Sequence, residues 1–203
     1  KIYEEEGYNA NEIPGLILEN NLFFFFFDER AVQLASFALA MKARSYYIRF
    51  LRKPVQPHVI ALENIREEAI HEAIKPPFKI NGKSIQRHKD LSLHLLTQAD
   101  NFGSLIQIEP EELSTVQIKS GIWQNQLQRL IEQATYLSKK YHCVVTNPPY
   151  MGGKGMNSEL KMFVQAKYAL SKSDLMACFM ERCMSFCISN GRGGFINQHC
   201  WMF

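Results

Sequence analysis

Two adjacent prolines at the end of an apolar, β-branched run constrain this chain more than any other feature: Val144-Val145-Thr146-Asn147-Pro148-Pro149-Tyr150. β-branched residues suit a pleated strand, so Val144-Val145 reads as the end of a buried strand. Neither proline can donate to a ladder, so pairing ends near Asn147 and the backbone leaves the sheet there. An Asn side chain and the Pro148 carbonyl, both hydrogen-bond acceptors, then stand beside the flat ring of Tyr150. Met151-Gly152-Gly153-Lys154-Gly155 follow as a loop flexible by composition. Acceptors beside an aromatic plane suit an amino group on a flat ring. An ordinary strand-to-loop turn would carry the same four residues.

Around this point the chain alternates strand-like and helix-like stretches. Glu5 to Tyr8 reads as a helix tail closed at Gly7, and Asn9 to Pro14 as a loop. Asn20-Asn21 punctuates an apolar run from Leu16 to Phe27 whose closing phenylalanines, Phe23 to Phe27, are short enough for a buried strand. Asp28 is placed as an N-cap, because apolar residues then recur at helical spacing (Leu34, Phe37, Ala38, Met41) to near Leu51, before Pro54 and Pro57. A strand follows at Val59 to Leu62, a short helix at Ile65 to Ile74, and a proline-rich basic connector from Pro76 to Lys89. Leu91 to Asp100 reads as a helix, Ser104 to Ile108 as a short apolar segment, Pro110 as the start of an acidic loop, and Ile122 to Tyr141 as a long polar helix. After the glycine loop come helices at Glu159 to Leu170 and Asp174 to Cys187. The second is stopped by Asn190-Gly191-Arg192-Gly193-Gly194, and Phe195 to Phe203 forms a strand-like end. Strands separated by helices predict a parallel α/β sheet with ligands beyond the carboxyl ends of its strands. Asp28 and Asn147 both fall at that edge.

With 203 residues, 46% of them hydrophobic, the chain has the size of one domain, 1–203, and enough apolar surface for a core. No apolar run nears the roughly 18 residues of a membrane span, and the first residues lack a secretory pattern, so a cytoplasmic protein without membrane contact is expected. The five cysteines form no CxxC pair and no His stands at zinc-finger spacing, which predicts reduced, mostly buried thiols and implies no metal. Cys183 and Cys187, one helical turn apart, leave a metal or redox pair open. Gly152-Gly153-Lys154-Gly155 lacks the spacing of a phosphate-binding loop. The net charge of +3 announces no nucleic-acid partner by itself. Six cations, Arg30, Lys42, Arg44, Arg49, Arg52 and Lys53, nevertheless lie between Arg30 and Leu62 with no acid among them, interleaved with Tyr46, Tyr47 and Phe50. That stretch suits either phosphate or a solvated helix face.

Asn147-Pro148-Pro149-Tyr150 resembles the catalytic motif of amino-group methyltransferases that use S-adenosylmethionine, of which the N6-adenine DNA methyltransferases are the largest class. Two longer blocks are similar to the large adenine methyltransferases of BREX-type phage-defence systems. One is Asn20-Asn21-Leu22-Phe23 with Asp28-Glu29-Arg30-Ala31-Val32-Gln33-Leu34-Ala35-Ser36-Phe37-Ala38-Leu39. The other runs from Asn147 through Lys154-Gly155-Met156-Asn157, Ser171-Lys172-Ser173-Asp174-Leu175 and Glu181-Arg182-Cys183 to Asn197-Gln198-His199-Cys200-Trp201-Met202-Phe203. The resemblance implies a three-layer Rossmann-like α/β methyltransferase core with a mostly parallel sheet, S-adenosylmethionine as cofactor, double-stranded DNA as substrate, and phage-defence proteins as partners. In the family, the Asn oxygen and the first Pro carbonyl hold the two hydrogens of the amine, and the aromatic ring stacks on a base swung out of the duplex. Asn147, Pro148 and Tyr150 are therefore the implied catalytic residues. Asp100-Asn101-Phe102-Gly103-Ser104-Leu105 resembles the motif flanking the cofactor's adenine, which implies Asp100 and Phe102, although Asp-Asn also suits a plain turn. Asp174 resembles a residue near the methionine moiety and equally reads as a helix N-cap.

Two departures from the family pattern stand out. Its glycine-rich cofactor loop has no counterpart before Glu19, so the core is expected to be truncated at its amino end. Phe26 stands where the family usually has the carboxylate that grips the ribose hydroxyls, and a phenyl ring accepts no hydrogen bond; Asp28, two residues on, is the candidate substitute cofactor ligand, reaching the same side only where the strand is kinked. Two rivals stay open: a module that contacts DNA without turnover, and an enzyme that methylates a protein glutamine, whose amide the same tetrapeptide can hold.

Overall fold

Among the described residues, strand pairing is parallel in the two pairs whose strands are connected by helices and antiparallel in the pair closest in sequence, in keeping with the alternating pattern. The computed structural model describes residues 1–74, 78–80, 83–85, 91–117 and 121–198. It divides into two units, Lys1–Glu63 and Asn64–Phe203.

In the first unit, α1 (Ile2–Glu5) gives way to Gly7 at a φ of 87°, a left-handed position that glycine adopts without strain. Helix α2 (Ile13–Asn20) starts inside the expected loop, because Pro14 occupies its first turn, where a missing N–H costs nothing. Strand β1 (Phe23–Phe26) pairs in parallel with β2 (His58–Ala61), Phe24 opposite Val59. Between them runs α3 (Glu29–Tyr46), capped by the Asp28 carboxylate, which accepts from the Arg30 N–H at 2.8 Å. The helix stops short of Leu51: Tyr47 is extended, and a 3-10 turn, Phe50–Arg52, follows.

Burial departs from apolar content in both α3 and β1, and for β1 it overturns the expectation of a buried strand. The apolar stripe of α3 faces outward, with Leu34 70% and Phe37 62% exposed; the helix instead packs through Leu39, Ala40, Ala43 and Tyr47 around Leu18 and Phe50. The phenylalanine run is half-buried along β1, and Phe27 lies beyond the strand and exposed. A two-stranded pair has no neighbouring strand to shield its edges, so β1 does not reach the burial of a central strand.

The second unit begins with α4 (Glu67–Ala73). The expected connector contains a hairpin of β3 (Phe78–Ile80) and β4 (Lys83–Ile85); its other residues lie outside the described ones. The expected single helix from Leu91 to Asp100 is a 3-10 run, Ser92–Gln98, joined to α5 (Ala99–Phe102) and a turn at Gly103–Leu105. The acidic loop contains one helical turn, α6 (Pro110–Leu113). Then come α7 (Gln124–Ser138), β5 (Tyr141–Thr146), α8 (Ser158–Lys167), α9 (Leu175–Phe186) and β6 (Cys187–Phe195). Strands β5 and β6 pair in parallel, Val144 opposite Gly193, with α9 packed against both.

The glycines expected to stop α9 lie inside β6 instead. A Cβ on Gly191 would meet the Cys187 Cβ at 2.9 Å and the His142 carbonyl at 3.2 Å, and one on Gly193 would meet the Phe195 ring at 3.0 Å. Gly191 thereby lets β6 approach the His142 backbone of β5 across a register shift between Tyr141 and Cys143, and Gly193 makes room for the Phe195 ring of its own strand. The strand-like reading of the chain end holds only at Phe195: residues 196–198 are not strand, and 199–203 lie outside the described residues. Strand β5 is also less buried than expected, with Val144 half-buried and Val145 74% exposed. Among the described residues the strands form three two-stranded sheets, an α/β mixture in which both helix-connected pairs are parallel.

The core of this unit is aliphatic, including Ile65, Ile70, Leu93, Leu96, Leu127 and Leu130, and it encloses two charged side chains. Arg182 is 4% exposed and donates to the carbonyls of Ser104, Ile106 and Leu137 and to the Ser185 hydroxyl, its guanidinium 3.6 Å from the centre of the Phe186 ring. Burial lowers its pKa to about 10, which leaves it charged at neutral pH. Glu112 accepts from the backbone N–H groups of Ser92 and Leu93 and so caps the 3-10 run; burial pushes its pKa up.

Candidate active site

The double proline ends β5 as expected. Thr146 is its last residue, Pro148 is buried, and Asn147, Pro149 and Tyr150 are exposed, Tyr150 by 47%. The Thr146 carbonyl accepts from the Ile196 N–H at 3.2 Å, which carries pairing one step past the end of β6. Tyr150 folds back across these two strand ends. Its hydroxyl oxygen lies 3.2 Å from the Asn147 Oδ1 and 2.9 Å from the Ile196 carbonyl.

The glycine loop is tied down by backbone bonds. The Met151 carbonyl accepts from the Leu175 N–H at 2.9 Å, the Gly153 N–H donates to the Ser173 carbonyl at 2.9 Å, and Gly152 bridges Asp174 in antiparallel fashion. Asp174 therefore stands beside the loop that follows the tetrapeptide. Its carboxylate caps α9 by accepting from the Met176 N–H at 2.8 Å.

Farther along the same loop, the Asn157 Oδ1 caps α8 through the Leu160 N–H at 2.8 Å, and its Nδ2 donates to the Asn101 Oδ1 at 2.9 Å. That amide contact links the loop to the segment holding Asp100. Asp100 is exposed, and its N–H donates to the Asn64 Oδ1 at 3.0 Å. It lines an open polar cleft of about 540 Å³ with Asn64, Gln98, Asn101, Asn157 and Glu159. Four amides and two carboxylates suit hydroxyl and amino groups such as those of a nucleoside. Phe102 is placed differently: it is 6% exposed and stacks on Phe163 with ring centres 4.3 Å apart, inside the core. The Tyr168 hydroxyl donates to the Leu105 carbonyl just beyond, and burial pushes its pKa up to about 12.

Asp28 belongs to the first unit, where its carboxylate is engaged in capping α3. Phe26 is half-buried and stacks on Phe24. All six cations from Arg30 to Lys53 are exposed, three on α3 and three beyond its end, with Lys42 lying 5.1 Å from the Tyr46 ring centre. The four cysteines among the described residues are free. Cys183 and Cys187 do not pair: the Cys187 thiol donates to the Cys183 carbonyl, and burial pushes the Cys183 pKa up to about 11, which keeps it protonated and unreactive. Among the described residues no group of His, Cys, Asp and Glu side chains has the arrangement of a metal site. No described helix is long and apolar enough to cross a membrane.

Sequence reasoning missed the Ile196 carbonyl and the Asn101–Asn157 pair. A backbone acceptor has no residue-type signature, and two asparagines 56 positions apart reveal nothing until the fold joins them.

Comparisons with known proteins bear on residues throughout the chain. Residues 20–203 match the family model described as Eco57I restriction-modification methylase. The whole chain is 35% identical over 235 aligned positions to the adenine-specific methyltransferase BrxX of Escherichia coli O9:H4 (strain HS), covering 20% of that protein. It is 32% identical over 217 positions to the adenine-specific methyltransferase PglX of Lacticaseibacillus casei (strain Zhang), covering 18% of it. The chain thus spans about a fifth of the length of these curated relatives.

Proposed function

The chain belongs to the Eco57I restriction-modification methylase family, and from that membership we propose that the protein transfers a methyl group from S-adenosylmethionine to the N6 amino group of adenine in double-stranded DNA. One observation carries the reading: an exposed amide acceptor and the hydroxyl of an exposed tyrosine lie within hydrogen-bond distance of each other at the carboxyl ends of two parallel strands. That edge is where α/β sheets offer ligands a crevice.

The chemistry explains the residue types. The lone pair of an exocyclic adenine amine is delocalised into the ring, which makes it a poor nucleophile. The Asn147 Oδ1 and the Pro148 carbonyl each accept one of its hydrogens, drawing the nitrogen toward tetrahedral geometry and freeing the lone pair. Tyr150 offers its ring to the base once that base has left the duplex. The methylated nitrogen is far more acidic than the neutral amine and loses its proton to water, so this chain needs no dedicated base.

S-adenosylmethionine would supply an electrophilic methyl on a sulfonium. The polar lining of the Asp100 cleft fits its nucleoside part, and Asp174, beside the glycine loop, is the proposed residue near the methionine part. Asp28 is a further proposed cofactor ligand. Phe102, buried against Phe163, is proposed to support the Asp100 segment from within. We assign the finer fold as a three-layer Rossmann-like core, of which parallel pairs joined by helices are the building units. A cytoplasmic location and association with phage-defence proteins complete the proposal, both resting on the family resemblance of the sequence blocks.

The experiment is transfer of labelled methyl groups to duplex DNA and to protein in parallel, followed by identification of the product. N6-methyladenine is expected. Label on protein glutamine would replace this reading with the amide-methylating one.

A further inference from the structure

The tetrapeptide contains a hydrogen bond that stacking does not explain. A phenylalanine ring at position 150 would stack on a base as well as tyrosine does, yet the Tyr150 hydroxyl has its own partners: the Ile196 carbonyl at 2.9 Å and the Asn147 Oδ1 at 3.2 Å. A phenol carries one proton, so it fully serves one acceptor at a time. The Ile196 end is the fixed one, because the Ile196 N–H is itself bonded to the Thr146 carbonyl at the end of β5.

Asn147 is the movable end. Its side chain is exposed, and a primary amide presents oxygen or nitrogen to nearly the same point after a half-turn about its last bond. Water would solvate both orientations alike. Only the oxygen end can accept from an amino group; the nitrogen end would set N–H against N–H. Whatever selects the oxygen end therefore selects the orientation in which the amide can hold an amine.

We infer that the Tyr150 hydroxyl is a positioning group that holds Asn147 oxygen-first in the empty site and turns its O–H toward the Ile196 carbonyl when a substrate amine takes that oxygen. The inference deepens the proposed function and rests on Asn147 being the amine's acceptor. The hydroxyl is a rotor with two stations, the nearer Ile196 carbonyl at 2.9 Å and the Asn147 Oδ1 at 3.2 Å. Turning toward Ile196 costs it no hydrogen bond, and it stops competing for electron density on the Asn147 Oδ1 as the amine arrives. No proton leaves the phenol at any stage.

Tyr150→Phe isolates the hydroxyl, because the ring stays. In the substrate-free protein, the order parameter of the Asn147 side-chain amide from nitrogen-15 relaxation is expected to be high in the wild type and to fall to that of a solvent-exposed asparagine in the variant. In methyl transfer, kcat is expected to fall about tenfold while KM for DNA stays within about twofold, since misorientation affects the reacting geometry and leaves stacking intact. An unchanged amide order parameter in Tyr150→Phe overturns the inference whether or not turnover is measured, and so does a rise in KM with kcat unchanged. Asn147→Ala separates the two levels: if that variant still methylates adenine, the base-holding reading itself falls. If it is inactive while Tyr150→Phe matches the wild type in both measurements, only the positioning role falls.

Discussion

Arg182→Met tests whether a buried arginine holds the second unit together. The wild-type guanidinium is enclosed, donates to three backbone carbonyls and a serine hydroxyl, and lies on the Phe186 ring; none of its hydrogen-bonded acceptors is a carboxylate. Two effects oppose each other. The pKa drop from 12.5 to about 10 means that burying the charge costs about 3 kcal/mol, at about 1.4 kcal/mol per unit, and methionine removes that penalty. Against it, the carbonyls of Ser104, Ile106 and Leu137 lose their charged donor, at about 1–3 kcal/mol each, or about 6 kcal/mol in all. The acceptors win, and the variant should lose about 3 kcal/mol, a fall in Tm of about 6–12 °C for a chain of this size. Urea unfolding followed by tryptophan fluorescence and far-ultraviolet circular dichroism measures it. A variant within about 0.5 kcal/mol of the wild type would refute the argument that these carbonyls depend on Arg182, since a neutral exchange is what a well-packed apolar replacement of a buried ion gives.

Two further outcomes are expected. Burial raises the Glu112 pKa above its ordinary 4.5, so above that pH the folded state binds more protons than the unfolded one, and stability falls as pH rises from about 4.5 through the raised value. Glu112→Gln removes this slope, so stability curves between pH 4 and pH 7 should diverge; parallel curves would mean that Glu112 titrates the same folded and unfolded. Gly191→Ala places a Cβ 2.9 Å from the Cys187 Cβ of the same strand and 3.2 Å from the His142 carbonyl of β5, and should cost about 1–3 kcal/mol by overpacking, read as a lowered urea midpoint; an unchanged midpoint would mean that the backbone around Gly191 has room for a Cβ.

Local chemistry was the most legible part of this sequence. Asp28, Asn157 and Asp174 all cap helices, because a short acceptor side chain before a helical run satisfies an N–H wherever the rest of the fold goes. Of the three, Asp28 and Asp174 were foreseen. The double proline ended β5 for the same reason: a missing donor is a property of the residue itself. What faces what was far less legible. Leu34, Phe37 and Met41 have helical spacing, but periodicity gives a face without saying whether anything covers it, and the helix buries its smaller Ala40 and Ala43 side instead. The glycines from Gly191 to Gly194 read as a helix stop because glycine commonly follows helices; the use of Gly191 inside β6 depends on the approach of the His142 backbone from β5, which only the fold supplies. Phe102 was read as a ring facing a ligand and lies in the core, since an aromatic side chain serves either purpose and its neighbour Phe163 is 61 positions away. The candidate site follows the same division. The exposed placement of Asn147 and Tyr150 just past the end of β5 was readable, whereas the Ile196 carbonyl that anchors the tyrosine was not.

The measurement that tests the central claim most directly is methyl transfer to duplex DNA by Asn147→Ala, with S-adenosylmethionine binding followed in the same preparation. The account predicts that methylation is lost, by more than about 10²-fold as for removal of a preorganised hydrogen-bonding group at a reacting centre, while cofactor affinity stays within about threefold. Methylation at the wild-type rate would contradict it, because the adenine amine would then be held by something other than the residue at the end of β5.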